Sequence, residues 1–204
     1  MRRFTYIMLF LFCTGIAYSQ QFEGGILGGL TASQIDGDSY SGYNKVGILA
    51  GAWVQRLFTY TVAGQLELRY VQKGSLHTNK PGDPIYYKAA LHYIDIPIMA
   101  QYIYNKKVNF ELGIGPEFLV SSKEFDAQGE LPEREPYFHA FTMSAIAGIG
   151  YIFWDVFTFS ARFNYSIIPI RDHPSGQSYL LNQGQYSHVL SFAVYYKIPG
   201  KSSR

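Results

Sequence analysis

Apolar and polar residues alternate along most of this chain with a period of two. The segment Phe157–Ile167 is the clearest case, since apolar residues at odd-numbered positions alternate with Thr, Ser, Arg and Asn at even ones. Successive side chains of a β-strand point to opposite faces, so this segment is predicted to be a strand with one apolar and one polar face. Eight such strands are predicted, at Phe22–Ser33, Val46–Gln55, Thr61–Lys73, His92–Tyr102, Val108–Val120, Phe141–Ile152, Phe157–Ile167 and Val189–Ile198.

The connections between these strands alternate between long and short. Long polar segments lie at 34–44, 74–88, 121–136 and 169–185, and tight turns lie at 56–59, 104–107 and 153–156. Successive connections of an up-and-down meander lie at opposite ends, so all the long loops share one end. Bacterial outer-membrane barrels have this pattern, with short periplasmic turns and long extracellular loops. The pattern therefore predicts an all-β, eight-stranded antiparallel up-and-down transmembrane β-barrel.

Composition favours lipid as the environment of the apolar strand face. Charged residues make up 16% of the chain and aromatic residues 17%, whereas soluble domains average about 25% charged residues. The polar face is mainly Ser, Thr, Gly, Asn and Gln, which suits a crowded barrel interior. A soluble periplasmic barrel that carries an apolar ligand is the alternative, and it would expose a face rich in Lys and Glu.

Aromatic residues collect near the predicted strand ends, as two belts at the membrane interfaces require. One predicted belt lies near the tight turns and contains Trp53, Phe58, Tyr60, Tyr102, Tyr104, Phe110, Phe153, Trp154, Phe157 and Tyr196. The other lies towards the long loops and contains Tyr43, Tyr70, Tyr93, Phe118, Tyr137, Phe138 and Tyr165.

The N-terminus has the features of an export signal. Arg2 and Arg3 precede an apolar run, and Ala17 and Ser19 supply small residues at a signal-peptidase site. Residues 1–19 are predicted to be a cleaved signal peptide and residues 20–204 the barrel domain. The single cysteine, Cys13, would leave with the signal. Removal of two of the 17 basic residues balances the 15 acidic ones, so nucleic acid is not an expected partner.

Several charged residues fall on the polar face and are predicted to point into the barrel. Eight strands form a barrel whose interior side chains fill, so an open pore is not expected. Isolated buried charges are costly, which favours a mutually paired structural plug over the alternative, a proton or ion path. The predicted network contains Glu67, Arg69, Asp95, Glu111, Glu117 and Arg162, with Lys73 as a further candidate.

Pro97 lies inside a predicted strand. A proline cannot donate a hydrogen bond to the sheet, and a closed barrel has no free edge to accommodate it. A β-bulge is therefore predicted at Pro97.

Six segments resemble the PorT-like outer-membrane β-barrel family of Bacteroidetes-type bacteria. They occur in the family's order and read GGILGGLTAS from Gly24, LELRYVQKGS from Leu66, YIDIPIMAQY from Tyr93, LGIGPEF from Leu112, AGIGY from Ala147 and FSARFNYS from Phe159. The resemblance implies a porin-like eight-stranded barrel in the cell outer membrane, and one branch of the family takes part in secretion linked to gliding machinery.

The chain departs from this family at two places. Thr31 stands where many relatives have Asn, and Lys197–Arg204 follow the aromatic Tyr196 that would otherwise end the chain. Recognition by the barrel-assembly machinery is therefore expected to rely on Phe192, Val194 and Tyr196 within the last strand.

The function predicted from the sequence is a non-enzymatic integral outer-membrane barrel of structural, binding or secretion-accessory type. Expected partners are outer-membrane lipid, the barrel-assembly machinery, and a protein outside the cell or in a secretion system. The enzymatic alternative, a barrel acting on lipid, would need a His with an acidic or Ser partner at the outer rim. The residues of these types are His77, Asp83, Asp172, His173 and Ser175, with His139 and His188 near strand ends. No spacing motif links them, so no catalytic, cofactor-binding or metal site is predicted.

Overall fold

The computed structural model describes residues 22–37, 42–78, 85–132, 135–173 and 184–199. Its strands are β1 (Phe22–Asp36), β2 (Lys45–Leu57), β3 (Val62–His77), β4 (Tyr87–Asp95), β5 (Ile98–Tyr104), β6 (Val108–Asp126), β7 (Gly129–Glu130), β8 (Phe141–Phe153), β9 (Phe157–Ser166) and β10 (Tyr186–Lys197). In these parts of the chain, no helix has both the length and the apolar character needed to cross a membrane. The predicted signal peptide lies outside the described residues.

The strands form a closed ring in which neighbours in sequence pair antiparallel. β4 and β5 are two parts of one wall strand, because both lie between β3 and β6, and β7 is a short extension that pairs with the end of β6. The ring closes where β1 pairs with β10, for example at Leu30 and Phe192. The predicted eight-stranded up-and-down barrel is therefore confirmed.

Several strands continue further at the long-loop end than the alternation predicted. A membrane-crossing strand needs about 9–11 residues, whereas β6 has 19 residues and β3 has 16. The extra part of β6, Ser121–Asp126, is mostly polar, and the sequence pattern predicts a loop there. It forms a hairpin with β7 and projects beyond the apolar band.

Pro97 does not produce the predicted bulge. The pairing with β6 keeps one register across it, since Asp95 lies opposite Glu117 and Ile98 lies opposite Ile114. The Pro97 carbonyl still accepts a hydrogen bond from Glu67 N at 3.0 Å. The sheet therefore loses only the one hydrogen bond that a proline nitrogen cannot donate. The Pro97 carbonyl keeps its hydrogen bond to β3.

The irregularity lies instead near the outer end of the same wall strand. His92 is opposite Ser121 and Tyr93 is opposite Leu119, so Val120 is an extra residue in β6. A bulge bends its strand and increases its twist. It separates the strictly alternating part of β6 from its polar extension, which explains why the sequence pattern breaks there.

Two of the tight turns adopt a left-handed backbone at two consecutive residues. Asn105 and Lys106 have φ of 49° and 56°, and Trp154 and Asp155 have φ of 52° and 57°. Positive φ at both central residues is the signature of the type I′ hairpin turn, whose twist matches that of the flanking strands. These short hairpins fix the register of β5 with β6 and of β8 with β9.

In most strands the apolar parity faces outward, as the sequence predicted, whereas Ala89, Leu91 and Tyr93 of β4 are buried in the interior. Leu68 is 57% exposed and Leu112 is 68% exposed, while Glu67 and Glu111 beside them are 1% and 5% exposed. Most belt aromatics also lie on the outside. Near the tight turns Phe157 contacts Tyr196 with ring centroids 5.2 Å apart.

Three of the predicted belt aromatics belong to the interior instead. Trp53 is 7% exposed and Tyr93 is fully buried, while Phe138 packs against buried residues at the outer mouth. The position along the strand was right, but Trp53 and Tyr93 have the inward parity. Proximity to a strand end does not decide on which face a ring lies.

Candidate functional site

The centre of the barrel interior is built around Arg162 of β9. Its Nε lies 2.5 Å from Glu111 Oε2 on β6, and its Nη1 lies 2.8 Å from Glu67 Oε1 on β3. Arg69, also on β3, lies 3.6 Å from Glu67 through Nη1. Since β3 and β9 are not neighbours in the ring, the Arg162–Glu67 pair crosses the lumen. A guanidinium offers several donors in a fixed plane, so one arginine can serve two carboxylates.

Neutral donors complete the hydrogen bonding of these carboxylates. Glu67 Oε1 accepts from Gln65 Nε2 at 2.6 Å and from the Tyr195 hydroxyl at 3.2 Å. Glu111 accepts from Asn109 Nδ2 at 2.8 Å and from Ser160 Oγ at 2.9 Å. Amide and hydroxyl groups therefore donate the hydrogen bonds that the two carboxylates do not receive from the arginines, as buried carboxylates require.

A second cluster lies further towards the long-loop end. Lys73 Nζ forms an ion pair with Glu117 Oε2 and lies 4.1 Å from the centre of the Tyr93 ring. Ser144 Oγ donates to the other oxygen of Glu117 at 2.5 Å. Asp95 lies 3.4 Å from Arg69 Nη2, which links this cluster to the first one.

The structure brings all six predicted network residues together, and each is at most 5% exposed. These residues are Glu67, Arg69, Asp95, Glu111, Glu117 and Arg162. Lys73, the further candidate, is 1% exposed and belongs to the same network. Sequence reasoning missed the neutral members, above all Tyr195 and Gln65. Parity could have found them, since each lies on the inward face of its strand.

The lumen also contains an apolar cluster. Leu27, Leu49 and Val71 are buried there. Trp53 and Tyr195 pack edge to face near the tight-turn end, with ring centroids 6.2 Å apart. The barrel interior is therefore filled partly by an ionic network and partly by a hydrophobic core.

Ile170, Arg171 and Gln185, described residues of the connection from β9 to β10, cover the outer mouth. Ile170 is fully buried against Ile35, Leu91 and Tyr93. Its backbone N donates to Gln185 O at 2.8 Å, and its carbonyl accepts from His139 N at 2.7 Å. These bonds hold an apolar side chain across the top of the lumen.

Arg171 anchors this mouth cover. Its Nη1 lies 3.0 Å from both oxygens of Glu124, its Nε donates to Gln185 Oε1 at 3.0 Å, and its guanidinium lies 4.3 Å from the centre of the Phe138 ring. The Tyr87 hydroxyl also donates to Glu124. Burial, reinforced by this hydrogen bond, raises the pKa of Tyr87 above its ordinary value.

Gly148 on β8 provides the space that Arg162 occupies. A Cβ at this position would lie 2.6 Å from Arg162 Cγ and 2.9 Å from Ala161 O. These distances are shorter than carbon and oxygen atoms tolerate. The glycine is thus part of the network, although it carries no side chain.

A family model described as "Outer membrane protein beta-barrel domain" matches residues 18–172, more than half of the 204 residues. The chain belongs to this family. The outer-membrane β-barrel fold and an outer-membrane location follow from this membership together with the closed ring. No curated protein matches the chain.

Two solved structures show the same barrel fold. The attachment invasion locus protein Ail of Yersinia pestis is 14% identical, with 87% of this chain and 99% of that chain covered and a TM-score of 0.51. Neisserial surface protein A is 11% identical, with 86% and 97% covered and a TM-score of 0.53. At such low identity, the likeness concerns the fold alone.

The histidines of this outer-membrane barrel are dispersed at the long-loop end. His139 Nε2 lies 3.5 Å from Asp172 Oδ1, and His188 Nε2 lies 2.8 Å from Asp36 Oδ2. Asp83 and Ser175 lie outside the described residues. Across the five described segments, no three His, Cys, Asp or Glu residues are grouped in a way that could hold a metal ion.

Proposed function

We propose that this protein is a non-enzymatic, non-conducting outer-membrane barrel that presents a binding rim outside the cell. The observation that carries the proposal is the filled lumen, in which Arg162 joins the carboxylates of two different walls. Trp53 and Tyr195 occupy the tight-turn end, and Ile170 covers the other end. A continuous water path through such an interior would have to break several buried ion pairs.

Single-channel recording in planar bilayers tests this part of the proposal. Purified protein is expected to give no stable conductance steps at moderate voltage. The double variant Ile170→Gly/Arg171→Gly removes the mouth cover but keeps the ionic network, and it too is expected to remain closed. A regular open channel in the unmodified protein would overturn the proposal.

The binding part rests on the shape of the outer rim. The β6 extension and residues 130–132 and 136–140 enclose a cleft of about 540 Å³, which is within the size range of small-ligand sites. Ser122, Lys123 and Glu130 contribute polar groups to it, while Leu131 and Tyr137 contribute apolar surface. A site of mixed chemistry on projecting strands suits a partner outside the cell. The secretion-accessory version rests only on the resemblance to PorT-like proteins.

Surface labelling tests whether this rim faces outward. The predicted mature chain has no cysteine, so a single introduced cysteine reports its own position. Ala127→Cys at the tip of the β6–β7 hairpin is expected to react in intact cells with a maleimide that cannot cross the membrane. Lys107→Cys, in a tight turn, is the matched control and should react only after lysis. The reverse pattern would place the cleft in the periplasm.

Among the described residues, the enzymatic alternative has two geometric candidates at the rim, the His139–Asp172 pair and the His188–Asp36 pair. Under the proposal, His139→Ala leaves the acyl composition of lipid A in the host unchanged, as do His77→Ala and His173→Ala. A variant that folds normally but alters this composition would favour the enzyme.

A further inference from the structure

Two lysines lie at the long-loop end of β2 and β4, the strands on either side of β3. Lys45 begins β2, and its half-buried side chain donates from Nζ to Val46 O at 3.0 Å. Lys88 lies at the second position of β4, opposite Phe125 of β6, with its Nζ 5.1 Å from the centre of that ring. The Lys88 position shares the outward face of β4 with His92.

Both lysines lie beside the outer end of β3, since Lys88 is opposite Leu76 of that strand and Lys45 begins the strand on its other side. Burial lowers the pKa of Lys45, and repulsion from Lys88 lowers it further. Within the described residues, neither lysine forms an ion pair with an Asp or Glu. Glu124, on the β6 extension, is already paired with Arg171. In the part of the rim that the structure describes, these two cations thus have no acidic partner.

The surface below these lysines is lipid-facing. Val46 and Ile48 on the outside of β2 are 63% and 50% exposed. On β3, the Tyr70 hydroxyl forms a hydrogen bond with His92 Nδ1, and it accepts one from Gln72 Nε2 at 3.1 Å. An amphipathic tyrosine at this height marks the boundary between acyl chains and headgroups. Lys45 and Lys88 therefore lie at headgroup level.

We propose that Lys45 and Lys88 bind the phosphate-bearing headgroup of an outer-leaflet lipid. A lysine ammonium acts as a compact point charge for phosphate. The exposed Val46 and Ile48 side chains receive the acyl chains of the same molecule. Cations that lie above apolar surface favour an anionic amphiphile. A soluble anion would contact the lysines but leave Val46 and Ile48 without a partner.

Titration of the folded, full-length protein in detergent, followed by native mass spectrometry, tests the proposal. The probes are diphosphorylated lipid A, its dephosphorylated form and inorganic phosphate. The unmodified protein is expected to prefer the diphosphorylated lipid. Since one lysine near an anionic lipid surface contributes about 1 kcal/mol, Lys45→Gln/Lys88→Gln is expected to weaken binding by roughly 30-fold.

Lys106→Gln/Lys107→Gln is the matched control, because it removes the same charge from the opposite end of the barrel. It is expected to leave lipid binding unchanged. The gel shift between boiled and unboiled samples shows whether each variant is folded. Equal affinity in both double variants would overturn the proposal, and so would equal affinity for the dephosphorylated lipid. If inorganic phosphate binds as tightly as lipid A, the site recognises free phosphate and not a lipid, and the proposal is wrong.

Discussion

Arg162 Nε lies 2.5 Å from Glu111 Oε2 inside the barrel, and both side chains are almost completely buried. The same arginine reaches Glu67 on another wall at 2.8 Å. A pair of this kind is held within a low-dielectric interior, where the loss of either partner leaves a charge uncompensated. The stability of the whole barrel should therefore depend on single charged side chains.

Arg162→Leu is expected to destabilise the barrel by about 3–5 kcal/mol, because it leaves Glu67 and Glu111 without their shared cation. Urea unfolding of the detergent-solubilised protein, followed by tryptophan fluorescence, measures the change. Glu67→Leu should have a similar effect, and the double variant should lose less than the sum of the two. Unchanged stability in both single variants would mean that these side chains face water or headgroups.

Gly148→Ala tests the space reserved for Arg162. The added Cβ would lie 2.6 Å from Arg162 Cγ, and overpacking of this kind typically costs about 1–3 kcal/mol. Gly28→Ala is the matched control, since its nearest neighbour, Leu49 O, would be 4.0 Å away. Thermal unfolding should separate the two variants. Equal melting temperatures would show that the interior is looser than this geometry implies.

Tyr87 gives the mouth cover a dependence on pH. Its pKa is raised above the ordinary value of 10.0 by burial and by its hydrogen bond to Glu124. The unfolded chain therefore releases this proton first as the pH rises, so the stabilising contribution is present below about pH 10 and is lost above it. Tyr87→Phe should reduce the loss of stability at alkaline pH, whereas Tyr137→Phe, at an exposed position, should not. Parallel pH profiles for all three proteins would contradict this.

Arg171→Met should loosen the mouth cover without disturbing the membrane-crossing wall. The variant loses the two contacts with Glu124 and the bond to Gln185. Hydrogen exchange at the Ile170 amide, which donates to Gln185 O, is expected to accelerate, while exchange in β1 and β10 stays slow. Lys123→Met, on an exposed ion pair with Glu130, is the control. Unaltered exchange at Ile170 would show that the apolar contacts alone hold the cover.

Alternation with a period of two predicted the barrel, the inward face and the six charged residues, because lipid and lumen impose opposite demands on successive side chains. It could not place Trp53 and Tyr93, since an aromatic ring suits both a lipid interface and a packed lumen. The role of Ile170 was also out of reach. That residue is in a polar connection, and only the chain reversal over the mouth buries it against Leu91.

The bulge was misplaced for a related reason. Pro97 lacks a donor, but a ladder can lose one bond and keep its register, whereas the extra residue Val120 has no signature in its own identity. It is visible only as the shift in the pairing of β4 with β6 between His92 and Tyr93.

The seam between β1 and β10 joins the two ends of the described chain, as in the pairing of Gly25 with Lys197. Such a contact is among the most distant in sequence and is expected to form late. Tyr195 on β10 donates to Glu67 on β3, and Arg162 on β9 reaches the same carboxylate. These bonds join strands that are not neighbours in the ring, so they can form only when the sheet has curled into a closed barrel. In a half-inserted open sheet these charged side chains would be unpaired in lipid, which is energetically unfavourable. Closure of the barrel pairs them, so closure and the removal of water from the interior are expected to occur together.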